Sequence, residues 1–261
     1  MKNKILMFLI IIICLISIIF SILSSNLFNN DTTYMVVCND TLWKYNKTWK
    51  KVNINNLKKL SYKPAYIYNG YNQIINNSYF EYKNGELDIY DENYEKQDLT
   101  PNTISVIGNN KINVANVQIM DSINEYDEVY VDEVLSKYSI NNPGDNYNTY
   151  KAVYDLNNDG KEDYVFNINN FYTQDKKDYA FSIIFSVING EIKIVEKQIV
   201  SVEQELAKKS LYLTNIVDVD NDKNYEIIIF ESSYGNVKND CHSIYKYENN
   251  QYKKLIGCQE E

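Results

Sequence analysis

The chain contains no arginine, so lysine supplies all 26 of its basic side chains. Without a guanidinium fork, bidentate recognition of phosphate or of guanine has no residue to make it. A net charge of -9 adds repulsion toward phosphates, and nucleic acid is set aside as a partner. Histidine occurs once, at His242, directly after Cys241. Neighbouring residues on a strand point to opposite faces, so this pair does not read as nucleophile and base. Gly-x-Ser-x-Gly, His-Glu-x-x-His, a glycine-rich phosphate loop and Cys-x-x-Cys are all missing from the sequence. Proline appears three times and glycine eight times in 261 residues. Asparagine and aspartate must therefore make most of the turns.

Charge is also missing from one long run. Ile5 to Leu23, "ILMFLIIIICLISIIFSIL", holds no charged residue and only two serines. As a helix it spans about 30 Å, the hydrocarbon thickness of a bilayer, and it exceeds the roughly 7–15 apolar residues of a signal peptide. The expectation is a membrane anchor, with a cleaved signal peptide as the alternative. Lys2 and Lys4 precede the run, and no basic residue follows it before Lys44. The positive-inside bias then places the N-terminus in the cytoplasm and the rest of the chain outside. Cys14 lies within the run, but the isoleucines before it lack the small residue that precedes a lipid-modified cysteine.

Cys38, Cys241 and Cys258 lie beyond the run, where an extracellular setting permits a disulfide. Cys241–Cys258, which bracket one hairpin-like segment, is the first choice; Cys38 paired with either of them is the alternative.

Tyrosine is abundant, at 25 residues, and with isoleucine it favours half-buried pleated surfaces. After a polar stem, "SSNLFNNDTT", short alternating runs read as strands. "YMVVCNDTLWKYNKTWKKVNI" turns at Asn39-Asp40 and at Asn46-Lys47. Asn84-Gly85 is the pair a type I′ turn prefers, and a further hairpin turns at Asn189-Gly190. Further hairpins are expected around Gly108–Asn110 and Asn249-Asn250. Two segments read as helix. "YDEVYVDEVLSKYSI" sets Val131, Val134, Leu135 and Tyr138 on one face, with acids early and lysine late. "SVEQELAKKS" opens on a Ser201/Gln204 capping-box pattern.

Two acidic stretches carry the main signal: "YDLNNDGKEDYVF" (154–166) and "VDVDNDKNYEIIIF" (217–230). Asp155, Asn157, Asp159 and Asp163 align with Asp218, Asp220, Asp222 and Glu226, 63 residues later. Each stretch leads into an apolar run, which points to an internal repeat. Oxygen ligands at positions one, three and five of a tight loop converge, and a carbonyl at seven and a carboxylate at nine can close the shell around Ca²⁺. The ligand sets are Asp155, Asn157, Asp159, the Lys161 carbonyl and Asp163, and then Asp218, Asp220, Asp222, the Asn224 carbonyl and Glu226. Position twelve, a bidentate Glu in an EF-hand, is Phe166 and Ile229 here, so these are not EF-hands. The competing reading is a pair of solvated Asx-rich turns. Against it, two carboxylates about 5 Å apart repel by roughly 3 kcal/mol at an effective dielectric near 20. Position six, where a sharp turn calls for positive φ, is Gly160 in the first loop and Lys223 in the second. Expected affinities are in the weak range of extracellular modules, about 10⁻⁴–10⁻³ M.

"DLNNDGKEDYVF" and "DVDNDKNYEIII" resemble the D-x-D-x-D-G-x-x-D/E loops of FG-GAP/VCBS-type repeats. The likeness extends over roughly Asp127 to Cys258. It implies a β-propeller, so that with the segments read above the expected fold is mostly β, β-propeller-like or an incomplete propeller of antiparallel hairpins, with one or two short helices and an N-terminal transmembrane helix. It further implies bacterial extracellular placement, Ca²⁺ as cofactor, and binding or adhesion without catalysis. A packed pair of sheets stays open, since two loops and this length do not make seven blades of about 60 residues. The expected organisation is 1–25 membrane anchor or signal peptide, 26–33 stem, 34–126 N-terminal β-hairpin region and 127–261 calcium-loop repeat region. The expected partners are the membrane, through residues 5–23, and an extracellular protein or glycan. The alternatives are an accessory subunit of a membrane complex and a cell-envelope hydrolase with structural calcium, because carboxylate pairs for glycoside hydrolysis need only proximity.

Overall fold

Strands with apolar side chains on both faces need cover on both faces, and the chain provides it by stacking layers. The computed structural model describes residues 33–37, 41–45, 48–53, 55–56, 64–69, 74–83, 86–97, 103–107, 113–115, 117, 119–120, 123–141, 143–144, 147–170, 180–200, 209–233 and 240–257. They belong to the unit Thr33–Glu261. The expected anchor, residues 5–23, lies outside the described residues. Among the described residues no helix is long and apolar enough to cross a membrane.

The strands are β1 (Thr33–Val37), β2 (Thr41–Tyr45), β3 (Trp49–Val52), β4 (Pro64–Asn69), β5 (Ile74–Lys83), β6 (Glu86–Tyr90), β7 (Lys96–Gln97), β8 (Thr103–Ile107), β9 (Asn113–Val114) and β10 (Ile119–Met120). Helix α1 (Glu125–Lys137) follows, then β11 (Asn148–Tyr154), β12 (Asp163–Asn170), β13 (Ala180–Ile188), β14 (Glu191–Val200), β15 (Lys209–Asp218), β16 (Glu226–Ser233), β17 (Cys241–Glu248) and β18 (Gln251–Ile256). They form an eight-stranded sheet, β3-β2-β1-β8-β4-β5-β6-β7, and two five-stranded sheets, β10-β11-β12-β13-β14 and β18-β17-β16-β15-β9. Every pairing is antiparallel.

Each five-stranded sheet is a four-strand meander with one short strand, β10 or β9, added beside its first strand. The acidic stretches occupy the same place in both, between strands one and two of the meander. Equivalent residues also face the same way. Val165 of β12 points into the core between the two meanders, whereas Ile228, its counterpart 63 residues on, points away from that core toward Met35 and Val106 of the eight-stranded sheet. Phe166 faces α1, and its counterpart Ile229 faces the first meander. The two sheets therefore stack in one orientation, the back of the first on the front of the second. The layer order is α1, first meander, second meander, eight-stranded sheet. All nine residues of β13 are buried, as a strand covered on both faces requires.

Helix α1 caps the stack. Asn124 accepts hydrogen bonds from the N–H groups of Tyr126 and Asp127, and Asp127 accepts from Asn124 N–H, a reciprocal capping box. Val131, Val134 and Leu135 are buried against Phe166, Phe181 and Phe185, and Tyr138 is half-buried beside them. Lys151 of β11 donates to Asp127 at 2.6 Å inside this junction, with its ammonium 4.2 Å from the Tyr164 ring centre.

The turns at Asn189-Gly190 and Asn249-Asn250 hold two successive positive φ values, +52°/+79° and +51°/+67°, as type I′ geometry requires. Asn39-Asp40, Asn46-Lys47 and Asn84-Gly85 lie outside the described residues, but the strands flanking each of them pair as hairpins. The hairpin expected around Gly108–Asn110 does not form. β8 is flanked by β1 and β4, and β9 joins β15 in another sheet. Strand alternation identifies a strand but not its neighbour. Of the second expected helix, 201–208 lie outside the described residues, and Lys209 and Ser210 begin β15. Cys241 is disulfide-bonded; Cys38 and Cys258, its expected partners, lie outside the described residues.

Candidate metal centre

Both acidic loops are built by side-chain oxygens capping their own backbone. In the first, Asp155 accepts from the N–H groups of Asp159 and Gly160 at 3.0 and 2.9 Å, and Asn157 accepts from Asp159 N–H at 3.1 Å. Asp159 accepts from Lys161 N–H at 3.0 Å. In the second, Asp218 accepts from Asp222 and Lys223 N–H at 3.0 and 3.1 Å, and Asp222 accepts from Asn224 N–H at 2.8 Å. Position nine matches as well. Asp163 accepts from Leu156 N–H at 3.0 Å, and Glu226 from Val219 N–H at 2.8 Å.

Backbone geometry follows the same pattern. Position four is left-handed at Asn158 (φ +56°) and Asn221 (φ +59°), and position six at Gly160 (φ +83°) and Lys223 (φ +71°). The loops touch through Tyr225, whose N–H donates to the Leu156 carbonyl at 2.8 Å. Its ring meets Tyr154 edge-on, with centroids 4.7 Å apart.

The carboxylates differ between the loops. Among the described residues, Asp218, Asp220 and Asp222 form one group whose ligand oxygens all lie within 4.8 Å of one another. Asp155, Asp159 and Asp163 form no such group. In the first loop Asn157 turns its amide nitrogen to Asp159 Oδ2 at 3.1 Å, and Lys161 gives its ammonium to Asn189 Oδ1 at 3.2 Å. In the second, the gathering centre is Lys246 of β17. Its ammonium lies 2.7 Å from Asp220 Oδ2, 2.6 Å from Asp222 Oδ2 and 3.2 Å from Glu226 Oε1.

Electrostatics follow from burial and from that ammonium. Burial pushes the Glu226 carboxyl up to about 8; Val219 N–H and Lys246 oppose the rise, and the Asp220 charge adds to it. Burial also raises Asp220, against the hydrogen bond from Lys246. Asp222 is less buried, and the Lys246 and Asn224 hydrogen bonds outweigh its desolvation and hold it below the usual range. Burial alone would lower Lys246, but its bonds to Asp220 and Asp222 and the nearby Glu226 charge reverse this and keep it protonated. Burial raises Asp163, with Leu156 and Asn189 backbone groups opposing. Tyr45, from β2, stands near this cluster, its hydroxyl raised by burial and then by the Asp220 charge.

The donor set suits a hard divalent cation. It is all oxygen, and in the second loop two buried carboxylate oxygens, Asp220 Oδ1 and Glu226 Oε1, lack a hydrogen-bond partner, the latter having only the Lys246 ion pair. Lys246 is the member of this cluster that loop spacing misses. Its signal in the sequence is parity: it falls on the same strand face as the buried His242 and Ile244, where a lysine needs an internal acid. No protein-family model, no curated protein and no solved structure matches the chain.

Proposed function

We propose that the chain is an extracellular, membrane-anchored, calcium-binding β-module that binds a surface protein or glycan and carries out no catalysis. The observation that carries this reading is the pair of acidic loops. They stand at the same place in two successive meanders and share one scaffold of Asx caps and left-handed positions. Meanders stacked back to front in one orientation are also how neighbouring propeller blades pack, which supports an incomplete propeller of the FG-GAP/VCBS type. Asp155, Asn157, Asp159 and Asp163 would hold the ion of the first loop, and Asp218, Asp220, Asp222 and Glu226 that of the second. A bound ion would neutralise carboxylates that otherwise repel and would fix the start of β12 or β16. The anchor and the outward orientation rest on the 5–23 run and the lysines before it.

The test is a thermal melt of the full chain in mild detergent, with about 10 mM calcium or with chelator. At a Kd of about 10⁻⁴–10⁻³ M the ion adds roughly 1.4–2.7 kcal/mol, or roughly 3–10 °C in Tm for a chain of this size. Each occupied loop contributes such a gain, and Asp159→Ala should remove the share of the first loop. A wild-type Tm that agrees within a degree in calcium and in chelator would end the calcium reading.

A further inference from the structure

We infer that Lys246 is a built-in counter-ion that occupies the cation position of the second loop, so that solution calcium is taken up by the first loop and is excluded from the second. The inference rests on the calcium reading of the loops and narrows it to one of them.

An ammonium has three N–H donors. Two of those on Lys246 are hydrogen-bonded, to Asp220 Oδ2 at 2.7 Å and Asp222 Oδ2 at 2.6 Å, and Glu226 Oε1 lies 3.2 Å from the ammonium as an ion pair. The Lys246 side chain is 7% exposed, Asp220 10% and Glu226 0%. The ammonium is therefore packed against Asp220 and Glu226, while Asp222, 41% exposed, closes the group on its solvent side. Asp220 and Asp222 are also two of the three residues gathered as a cation group. A divalent ion bound by that group would share two carboxylates, Asp220 and Asp222, with Lys246 and would stand beside its like charge. One of the two cations must leave.

Strand register explains why only the second loop has this device. Glu226 lies one residue before the Ile227↔Tyr245 pair, which sets Lys246 across from it. Asp163 lies one residue before Tyr164↔Val187, which sets Ile188 across from it. Ile188 is buried in the core between the meanders and offers only hydrocarbon. The same scaffold thus meets an ammonium in one copy and an alkyl group in the other.

The experiment is calorimetric titration of the full chain in detergent with calcium chloride, for wild type, Asp159→Ala, Asp222→Ala, Lys246→Met and Lys246→Met/Asp222→Ala. The inference expects one site in wild type, lost in Asp159→Ala and retained within about threefold in Asp222→Ala. Lys246→Met should gain a second site, and the added Asp222→Ala should abolish it. Two wild-type sites, one of them lost in Asp222→Ala, would overturn the inference while leaving the calcium reading intact. So would a folded Lys246→Met chain with unchanged stoichiometry and affinity. Absence of heat and of any melting shift in every variant would overturn both. If Lys246→Met does not fold, the contrast between Asp159→Ala and Asp222→Ala in the wild-type background still decides the matter.

Discussion

Exchanging the position-six residues of the two loops should change stability in opposite directions. Gly160 has φ +83°, and a Cβ built on it meets nothing within 4 Å. Gly160→Ala therefore carries no steric clash, and its cost is the left-handed backbone alone, about 1–2 kcal/mol for an L-residue. Lower chain entropy in the unfolded state returns about 0.4–1 kcal/mol, which leaves a net loss of about 1 kcal/mol. Lys223 already holds φ +71° with a side chain, so Lys223→Gly releases a comparable strain and gains up to about 1 kcal/mol. The caps survive both changes, since they use backbone N–H groups: Gly160 to Asp155 and Lys223 to Asp218. Gly190, with φ +79° and equally open space, is a control outside the acidic loops; Gly190→Ala should cost what Gly160→Ala costs. Urea denaturation of the full chain at fixed calcium, with m-values compared, reads the shifts. Shifts of the same sign for Gly160→Ala and Lys223→Gly would refute the equivalence of the two turns. So would a stabilising Gly160→Ala.

Lys151→Met should cost about 3 kcal/mol, because it leaves the Asp127 carboxylate buried, with 6% exposure, and deprived of its 2.6 Å partner. Adding Asp127→Asn should recover most of that loss in a urea-denaturation double-mutant cycle. Acid should weaken the fold through His242, which burial pushes down to about 4 from 6.5. The unfolded chain takes up this proton below about pH 6.5 and the folded chain only near 4, so stability falls as pH drops through that window, by about 3 kcal/mol in all. Stability measured against pH for wild type and His242→Gln should diverge across that window; parallel curves would refute the assignment.

What could be read from the sequence was what is decided locally. Asn189-Gly190 and Asn249-Asn250 specify positive φ by residue type, and their hairpins formed where the pairs stand. α1 announced itself through the spacing of Val131, Val134 and Leu135 and the acids of its first turn. The loop scaffold was legible because Asx oxygens cap N–H groups only two to five residues away. Long-range pairing was not legible. β8 and β9 are separated by only five residues, 108–112, yet belong to different sheets. Which strand lies beside which depends on how whole faces are covered. Lys246 is missed for the same reason: its partners lie 20 to 26 residues earlier, across the β16–β17 pairing.

The two loops present one backbone solution and two charge solutions, and the contact between them gives that difference a structural consequence. Leu156 sits inside the first loop, where its N–H caps Asp163 and its carbonyl accepts from Tyr225 at the end of the second. Tyr225 directly precedes Glu226, whose carboxylate is tied to both Val219 N–H and Lys246. The second loop thus carries an internal ammonium against its carboxylates. The first loop has the core residue Ile188 across from its position-nine acid, and on the calcium reading proposed above it would draw its cation from solution. Binding there would tighten Asp155, Leu156 and Asp163 together and, through Leu156, the junction between the meanders. Calcium would then act on the stack at one seam, where β11 turns into β12, and leave the join between the second meander and the eight-stranded sheet, near Tyr45, to Lys246.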